Sequence, residues 1–396
     1  MPKSGGFDTS VFRSKGVTIC LHDGILSMGL SLIRDLCCLG NTELVQVYHC
    51  FPDELSPESR DALTTNDPRV EIADACSRYM RRGALTKEVA TKFRNWWVKP
   101  LALVHANLQD VVLLDADVIP MQNPANLRKL PGYMRTGTTF FYDRVINSKV
   151  YFDTLVRGKH YLHDWLETFD YATFNLSDGV EPTMHMVTSF AFAGKTCHEQ
   201  DSSMALVDKR RAGKVMDVLW FLITKKRFEF EFEFGDKESF WLAFEFAYRE
   251  YFFSPWGTSV VSSTPNEDMQ NHPDTLCGSI AHFVSGEGDN SYTPELLYVN
   301  GKALLTSLPL SAMELKRSTF NNWYNANLTH VTPRQRHRES GVLNEKKYRR
   351  FPQEYLVGLG STPLSEHFQK RLLQRRLVLM AVEAKLPVTT IECSRF

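Results

Sequence analysis

Asp115 and Asp117 stand one residue apart where the apolar run of VVLLDADVIP, residues 111–120, ends. Carboxylates at alternate positions of an extended chain point to one side. Oxygen ligands, retained water and substrate phosphates are the usual way of holding Mg²⁺ or Mn²⁺. A cation bridging two phosphates neutralises a nucleoside-diphosphate leaving group, which is the chemistry needed to break a sugar–nucleotide bond. The same Asp-x-Asp triplet also closes Asx-turns and caps helices, so its setting has to decide between the two uses.

That setting is a series of alternating elements. GVTICLHDG, 16–24, is an apolar run ending in polar residues and reads as a strand. ILSMGLSLIRDLCCLG has apolar residues at helical spacing and a closing Gly40. LVQVYHC is a second strand, SPESRDALTTNDP a capped helix and VEIADA a third strand. KEVATKFRNWWVKPLALVHANL reads as helical on both sides of Pro100, and VVLLDAD is the fourth strand, stopped by Pro120. This alternation predicts an α/β fold with a mostly parallel central sheet flanked by helices. Ligands of such sheets sit beyond the carboxyl ends of the strands. His22, Asp23, Asp74, Asp115 and Asp117 all fall at such ends.

The second half is less regular. Phe228, Phe230, Phe232 and Phe234 alternate with glutamates, as in a half-buried strand or extended loop. From Asp236 the period becomes helical, with Phe240, Trp241, Phe244, Ala247 and Tyr251 as a core stripe. GDKE opens that helix, which offers Asp236 the role of N-cap. From Val331 the composition turns basic, with 13 Lys+Arg against 6 Asp+Glu, a net of +7 that leaves −7 on the body. The expected organisation is an N-terminal arm at 1–15, a catalytic domain at 16–330 and a basic C-terminal extension at 331–396. The segment QKRLLQRRLVLMAVEAKL of that extension is basic and partly amphipathic, suited to packing on the body, to a membrane surface or to disorder.

The 396 residues carry zero formal net charge, which gives no global support to nucleic-acid binding. No window reaches the roughly 18 apolar residues of a membrane span, and MPKSGGFDTSVFRSKG is not a signal peptide. The eight cysteines contain no CxxC pair, which argues against a zinc site and leaves disulfides open. Asn175-Leu-Ser and Asn327-Leu-Thr are glycosylation sequons.

A haloacid-dehalogenase-type phosphatase shares the local shape, an apolar strand ending in DxD with the first Asp as nucleophile. Those chains carry the strand near the start of the fold, with Thr or Val two residues after the second Asp. Here three βα units come first, Ile119 holds that position and no later pair of adjacent aspartates follows.

WWVKPLALVHANLQDVVLLDADVIPMQNPANL resembles the fungal-type α-mannosyltransferases of glycosyltransferase family 71. RTGTTFFYDR (135–144), EQDSSMALVDKRR (199–211), FGDKESFWLAF (234–244), DTLCGSIAH (274–282) and LLYVNGKALL (296–305) follow the same pattern in the same order. The resemblance covers roughly residues 16–305. It implies a GT-A fold, a nucleotide-sugar donor, ordinarily GDP-mannose, and a mannose-bearing glycan acceptor. It also implies Mn²⁺ or Mg²⁺ as cofactor and retention of anomeric configuration. Carried over by position, Asp115 and Asp117 match the metal-binding pair and His282 a downstream histidine that completes the metal site. Asp201, Ser202 and Ser203 match a motif on the transferred sugar. Asp236 falls on the donor-sugar side, as an oxocarbenium-stabilising carboxylate or a nucleophile, with Glu238 a second candidate. Lys99 and Arg144 are candidate donor-diphosphate ligands, each with a plain surface or ion-pair role as its alternative and Asp143 the expected partner of Arg144. His22 and Asp23 are expected on the donor side of the same sheet edge.

The expected function is metal-dependent, retaining transfer of mannose from GDP-mannose to a mannose-containing glycan. A non-catalytic nucleotide-sugar or glycan binder of the same fold is the second reading. The resemblance implies the Golgi lumen and a membrane anchor, and no anchor is visible in this chain; a complete chain of this kind would be cytoplasmic.

Overall fold

The computed structural model describes residues 13–177, 181–262, 279–285, 294–305, 330–338, 354–388, 391 and 393. Most of the N-terminal arm, the Asn327 sequon and residues 274–278 of DTLCGSIAH lie outside the described residues.

The first half follows the expected alternation. β1 (Arg13–Cys20), α1 (Leu26–Cys38), β2 (Leu44–His49), α2 (Pro57–Asn66) and β3 (Val70–Asp74) are followed by α3 (Ala75–Arg81) and α4 (Lys87–Thr91). Then come α5 (Val98–His105), β4 (Leu108–Leu114), β5 (Val118–Pro120) and β6 (Thr138–Tyr142). Pro100 does not break a helix in the middle. It sits in the first turn of α5, where its missing N–H costs nothing, and a 3₁₀ turn at Asn95–Trp97 leads into it.

The central sheet has the order β3-β2-β1-β4, then the strand Gln200–Asp208, then β6. The first three pairings are parallel and the last two antiparallel, the mostly parallel α/β sheet predicted. Strand β4 shows how the sheet is held. Val111 and Leu113 enter one core with Leu101 and Leu103 of α5 and Trp241. Val112 and Leu114 enter the other with Leu32 and Leu36 of α1, Phe283 and Tyr298. Period-two alternation thus buries both faces, which explains the continuous apolar run.

A second sheet covers the α1 face. It is antiparallel and contains Thr362–Pro363, His330–Val331, Ser259–Ser262, Ser279–Ser285, Pro294–Asn300 and β5, in that order. Asp115–Asp117 is therefore neither strand nor strand end alone. It is the crossover between the two sheets, closed by Val118 N–H donating to Asp115 O at 3.2 Å.

The C-terminal residues correct the expected boundary at Val331. His330–Val331 joins the second sheet and Arg334–Arg338 pairs with Glu354–Gly358. Arg336 is buried, with Nη1 2.6 Å from Glu199 Oε1 and 3.0 Å from Glu354 Oε2 and its guanidinium 3.6 Å over the Tyr142 ring. The helix Glu366–Glu383 lies against α1, where Arg371 pairs with Asp35, and a Cys38–Cys393 disulfide closes the seam. A second disulfide joins Cys50 to Cys76. Basic composition marked the tail as separate, but Arg336, Arg371, Arg375 and Arg376 are partnered inside the fold.

The FEFEFEF stretch is not a strand. Arg227–Glu229 closes a helical run, and the buried Phe232 and Glu233 lie in the loop that follows. The aromatic stripe forms the helix Ser239–Phe246.

Candidate active site

A cavity of about 540 Å³ opens at the carboxyl ends of β1 and β4. Cys20, Leu21, His22 and Ile25 line one wall, Trp96, Val98 and Lys99 another, and Asp115, Ala116, Asp117 and Lys302 the floor. Lys302 arrives because Pro294–Asn300 pairs with β5, Val299 opposite Ile119, and Gly301 N–H donates to Asp117 O at 3.3 Å.

Asp115 and Asp117 are half-buried around the buried Ala116. The turn achieves what strand alternation was expected to achieve, since both line one cavity. Burial, and then the Asp115 charge, push the Asp117 carboxyl up to about 6. The Asp115 charge repels the Asp117 carboxylate, and the remaining positions of a hard cation are filled by water and phosphate in such sites. The pair therefore fits Mn²⁺ or Mg²⁺ with two protein ligands. Among the described residues no group of three His, Cys, Asp or Glu side chains forms a metal cluster.

His282 does not join the pair. Its strand sets it opposite Tyr298 in the second sheet, fully buried. Its Nε2 is 2.8 Å from Asp201 Oδ2, to which Tyr298 Oη also donates at 3.3 Å and Ser203 Oγ donates as well. Burial alone would raise the Asp201 carboxyl. The hydrogen bond and charge of His282, with Lys237 and Ser203, outweigh it and hold Asp201 below the usual carboxylate range. Asp201, Ser203 and His282 form a buried node between the two sheets, behind Asp115, whose N–H donates to Ser203 O at 2.8 Å.

Lys99 is brought to the site by α5. Its Nζ lies 2.9 Å from Asp115 Oδ1, 3.2 Å from Asp236 Oδ2 and 2.9 Å from Ser202 Oγ. Burial alone would lower this ammonium; the Asp115 and Asp236 charges outweigh it and keep it charged. Ser202 also donates to Asp236 Oδ1 at 3.3 Å. Asp236 is thus not the helix N-cap. Glu233 takes that work, accepting from Ser239 N–H at 3.0 Å, while burial, opposed by Lys99, pushes Asp236 up to about 6.

Glu238 belongs to another environment. It is fully buried and accepts from Glu199 N–H at 2.9 Å and Trp241 Nε1 at 2.5 Å, away from the lining of the cavity. It organises the loop before Gln200 and does not face the site. Asp23 is exposed and accepts from Ser56 N–H at 3.0 Å, tying down the start of α2. Asp74 caps α3 through Ser77 N–H at 2.9 Å. His22 keeps its place on the cavity wall, with Nδ1 accepting from Gly24 N–H at 3.1 Å.

Arg144 shares its expected partner, Asp143, with a residue that sequence reasoning passed over. Lys237 Nζ is 2.5 Å from Asp143 Oδ2, whereas Arg144 Nε stands 3.9 Å from Asp143 Oδ1. Lys237 follows Asp236 directly, and the FGDKE block contained it. Trp96 and Phe234 were also missed. They are 56% and 48% exposed and meet at 5.6 Å between ring centroids. Gly235 at φ +81° lets the Trp96 ring lie over its backbone, where a Cβ would stand 3.3 Å from it. The exposed aromatic pair, Trp96 lining the cavity with Lys99, presents apolar ring faces at its edge.

Several known proteins are similar. The probable α-1,3-mannosyltransferase MNT4 of Saccharomyces cerevisiae is 25% identical over 73% of this chain and 50% of its own length. The α-1,3-mannosyltransferase MNT2 of the same yeast is 23% identical over 64% and 46%. The chain spans about half the length of these curated relatives. Among solved structures, the apo bifunctional glycosyltransferase WbbM aligns over 64% of this chain and 40% of its own at 13% identity, TM-score 0.39. The galactosyltransferase LgtC, in complex with donor and acceptor sugar analogs, aligns over 58% and 70% at 12% identity, TM-score 0.32. Residues 14–283 match the family described as "Mannosyltransferase putative", and the chain belongs to that family of glycosyltransferases.

Proposed function

We propose that the chain transfers mannose from GDP-mannose to a mannose-containing glycan, with retention at the anomeric carbon. The observation that carries this reading is the Asp115–Asp117 crossover, facing a cavity with Lys99 and Lys302 in a chain of the mannosyltransferase family. Asp115 and Asp117 would hold Mn²⁺ or Mg²⁺, which would supply charge neutralisation at the departing diphosphate. Lys99 and Lys302 add point charges for the same phosphates. Ser202 and Asp236 are buried behind Lys99 and hold its ammonium at the cavity. Asp236, held by an ammonium at 3.2 Å, acts as a fixed negative charge for an oxocarbenium-like transition state. Trp96 and Phe234 hold the acceptor ring at the mouth.

The Cys38–Cys393 and Cys50–Cys76 disulfides and the exposed Asn175 sequon support an oxidising secretory location, and we place the site in the Golgi lumen. Among the described residues no helix is long and apolar enough to cross a membrane.

The test is transfer of labelled mannose from GDP-mannose to mannobiose with Mn²⁺. Label in a trisaccharide supports the reading. Mn²⁺-dependent GDP binding without transfer to any mannose-bearing acceptor points to a non-catalytic binder.

A further inference from the structure

The helix Glu366–Glu383 lies outside the span matched by the family, yet it reaches the cavity floor at consecutive residues. Arg375 is fully buried. Its Nη2 donates to Ala116 O at 2.7 Å and its Nη1 to Met28 O at 3.2 Å, while Ser31 Oγ donates to Arg375 O at 2.7 Å. Arg376 Nε donates to Leu304 O at 2.7 Å, in the short helix that carries Lys302. His367 Nε2 lies 3.0 Å from Met121 O, just past β5.

We infer that this helix is a working part of the metal turn, and that Arg375 is the positioning residue through which it fixes the spacing of Asp115 and Asp117. The inference rests on the metal reading above and deepens it.

Ala116 belongs to neither flanking strand, so its carbonyl is outside both ladders. Arg375 supplies the hydrogen bond that a sheet neighbour would otherwise give. Rotation of that peptide would swing both flanking carboxylates, so a fork fixed on its oxygen sets their separation. A buried guanidinium is costly to desolvate, and a hydrophobe of similar volume would pack the seam as well or better. Burial lowers Arg375 to about 10, with Asp35 and Asp117 opposing the fall. The charge is thus kept where packing alone does not ask for it. The seam is fixed by Arg371 on Asp35 and by Cys38–Cys393, so the helix cannot slide along α1 while Arg375 holds the turn.

Charge and geometry predict opposite signs. Removing a positive charge near Asp117 should tighten a divalent cation by Coulomb's law; releasing the turn should loosen it. The measurement is Mn²⁺ binding to the nucleotide-free protein, followed by the paramagnetic resonance signal of free Mn²⁺. Relative to wild type, Arg375→Met should bind Mn²⁺ about tenfold more weakly, the size of effect seen when outer-shell partners of ligands are lost. Arg375→Gln, neutral but still a donor, should recover part of the loss. If Arg375→Met does not fold, Arg375→Lys keeps the charge and reaches one carbonyl; it should bind more weakly than wild type. Unchanged or tighter binding in the folded variants, with wild type binding normally, overturns the inference alone. No Mn²⁺ binding by wild type overturns the metal reading and this inference with it.

Discussion

The ammonium of Lys99 lies 2.9 Å from a carboxylate oxygen of Asp115, although the two stand in different elements. The same nitrogen reaches Asp236, so one buried cation joins the Asp115–Asp117 turn to the Asp236 carboxylate. Lys99→Met should leave two carboxylates without their partner. Loss of about 3–5 kcal/mol in denaturant unfolding is expected, as for a buried pair broken on one side. Transfer by whatever folded fraction remains should fall at least about 10²-fold, because a preorganised charge is lost at the reacting centre. Wild-type turnover in the folded variant would remove Lys99 from the site.

The pairing of His282 with Asp201 separates a structural histidine from a metal ligand. His282→Ala should destabilise the fold, seen as a lower thermal midpoint, because buried Asp201 keeps the Ser203 and Tyr298 hydroxyls and the Ser203 N–H but loses the His282 hydrogen bond. Its Mn²⁺ affinity should stay within about threefold of wild type, well short of the loss expected for a ligand. A Mn²⁺ affinity collapsing together with unchanged stability would return His282 to the metal.

Glu238 supplies a pH signature. Burial pushes its carboxyl up to about 8, above its ordinary value near 4.5. The folded state therefore holds a proton that the unfolded chain has released between those values, and stability falls as pH rises through that window. Glu238→Gln keeps an acceptor oxygen and removes the titration. Its thermal midpoint should fall less than that of wild type between pH 5 and 8. Parallel curves for the two proteins would contradict a titrating Glu238.

Trp96 tests the mouth of the cavity. Trp96→Ala should raise the acceptor KM about tenfold with a smaller change in GDP binding, since the ring is 56% exposed and supplies an apolar face rather than a charge. Equal losses for acceptor and GDP would place the nucleotide on the aromatic pair.

Much of this architecture was legible because its signals are local. Strand β4 announced itself by four apolar residues that feed two cores, and the βα units before it by helical spacing and a capping serine at Ser56. The Asp115–Asp117 pair was legible for the same reason. What was not legible depends on distant partners. Asp236 pairs with Lys99 from α5, and Asp143 takes a shorter ion pair with Lys237 than with its neighbour Arg144. The tail read as a separate basic segment because charge counting cannot see that Arg336, Arg371 and Arg375 are buried on partners as far as 347 residues away. His282 carried a family role in sequence that a β-sheet register redirected to Asp201.

Calorimetric titration of GDP into wild type and Asp117→Ala, each with and without Mn²⁺, tests the metal-held diphosphate most directly. Two carboxylates gripping the ion predict saturable GDP binding by wild type only when Mn²⁺ is present, and its loss in Asp117→Ala. GDP binding that is equal without Mn²⁺, or that survives intact in Asp117→Ala, would contradict it.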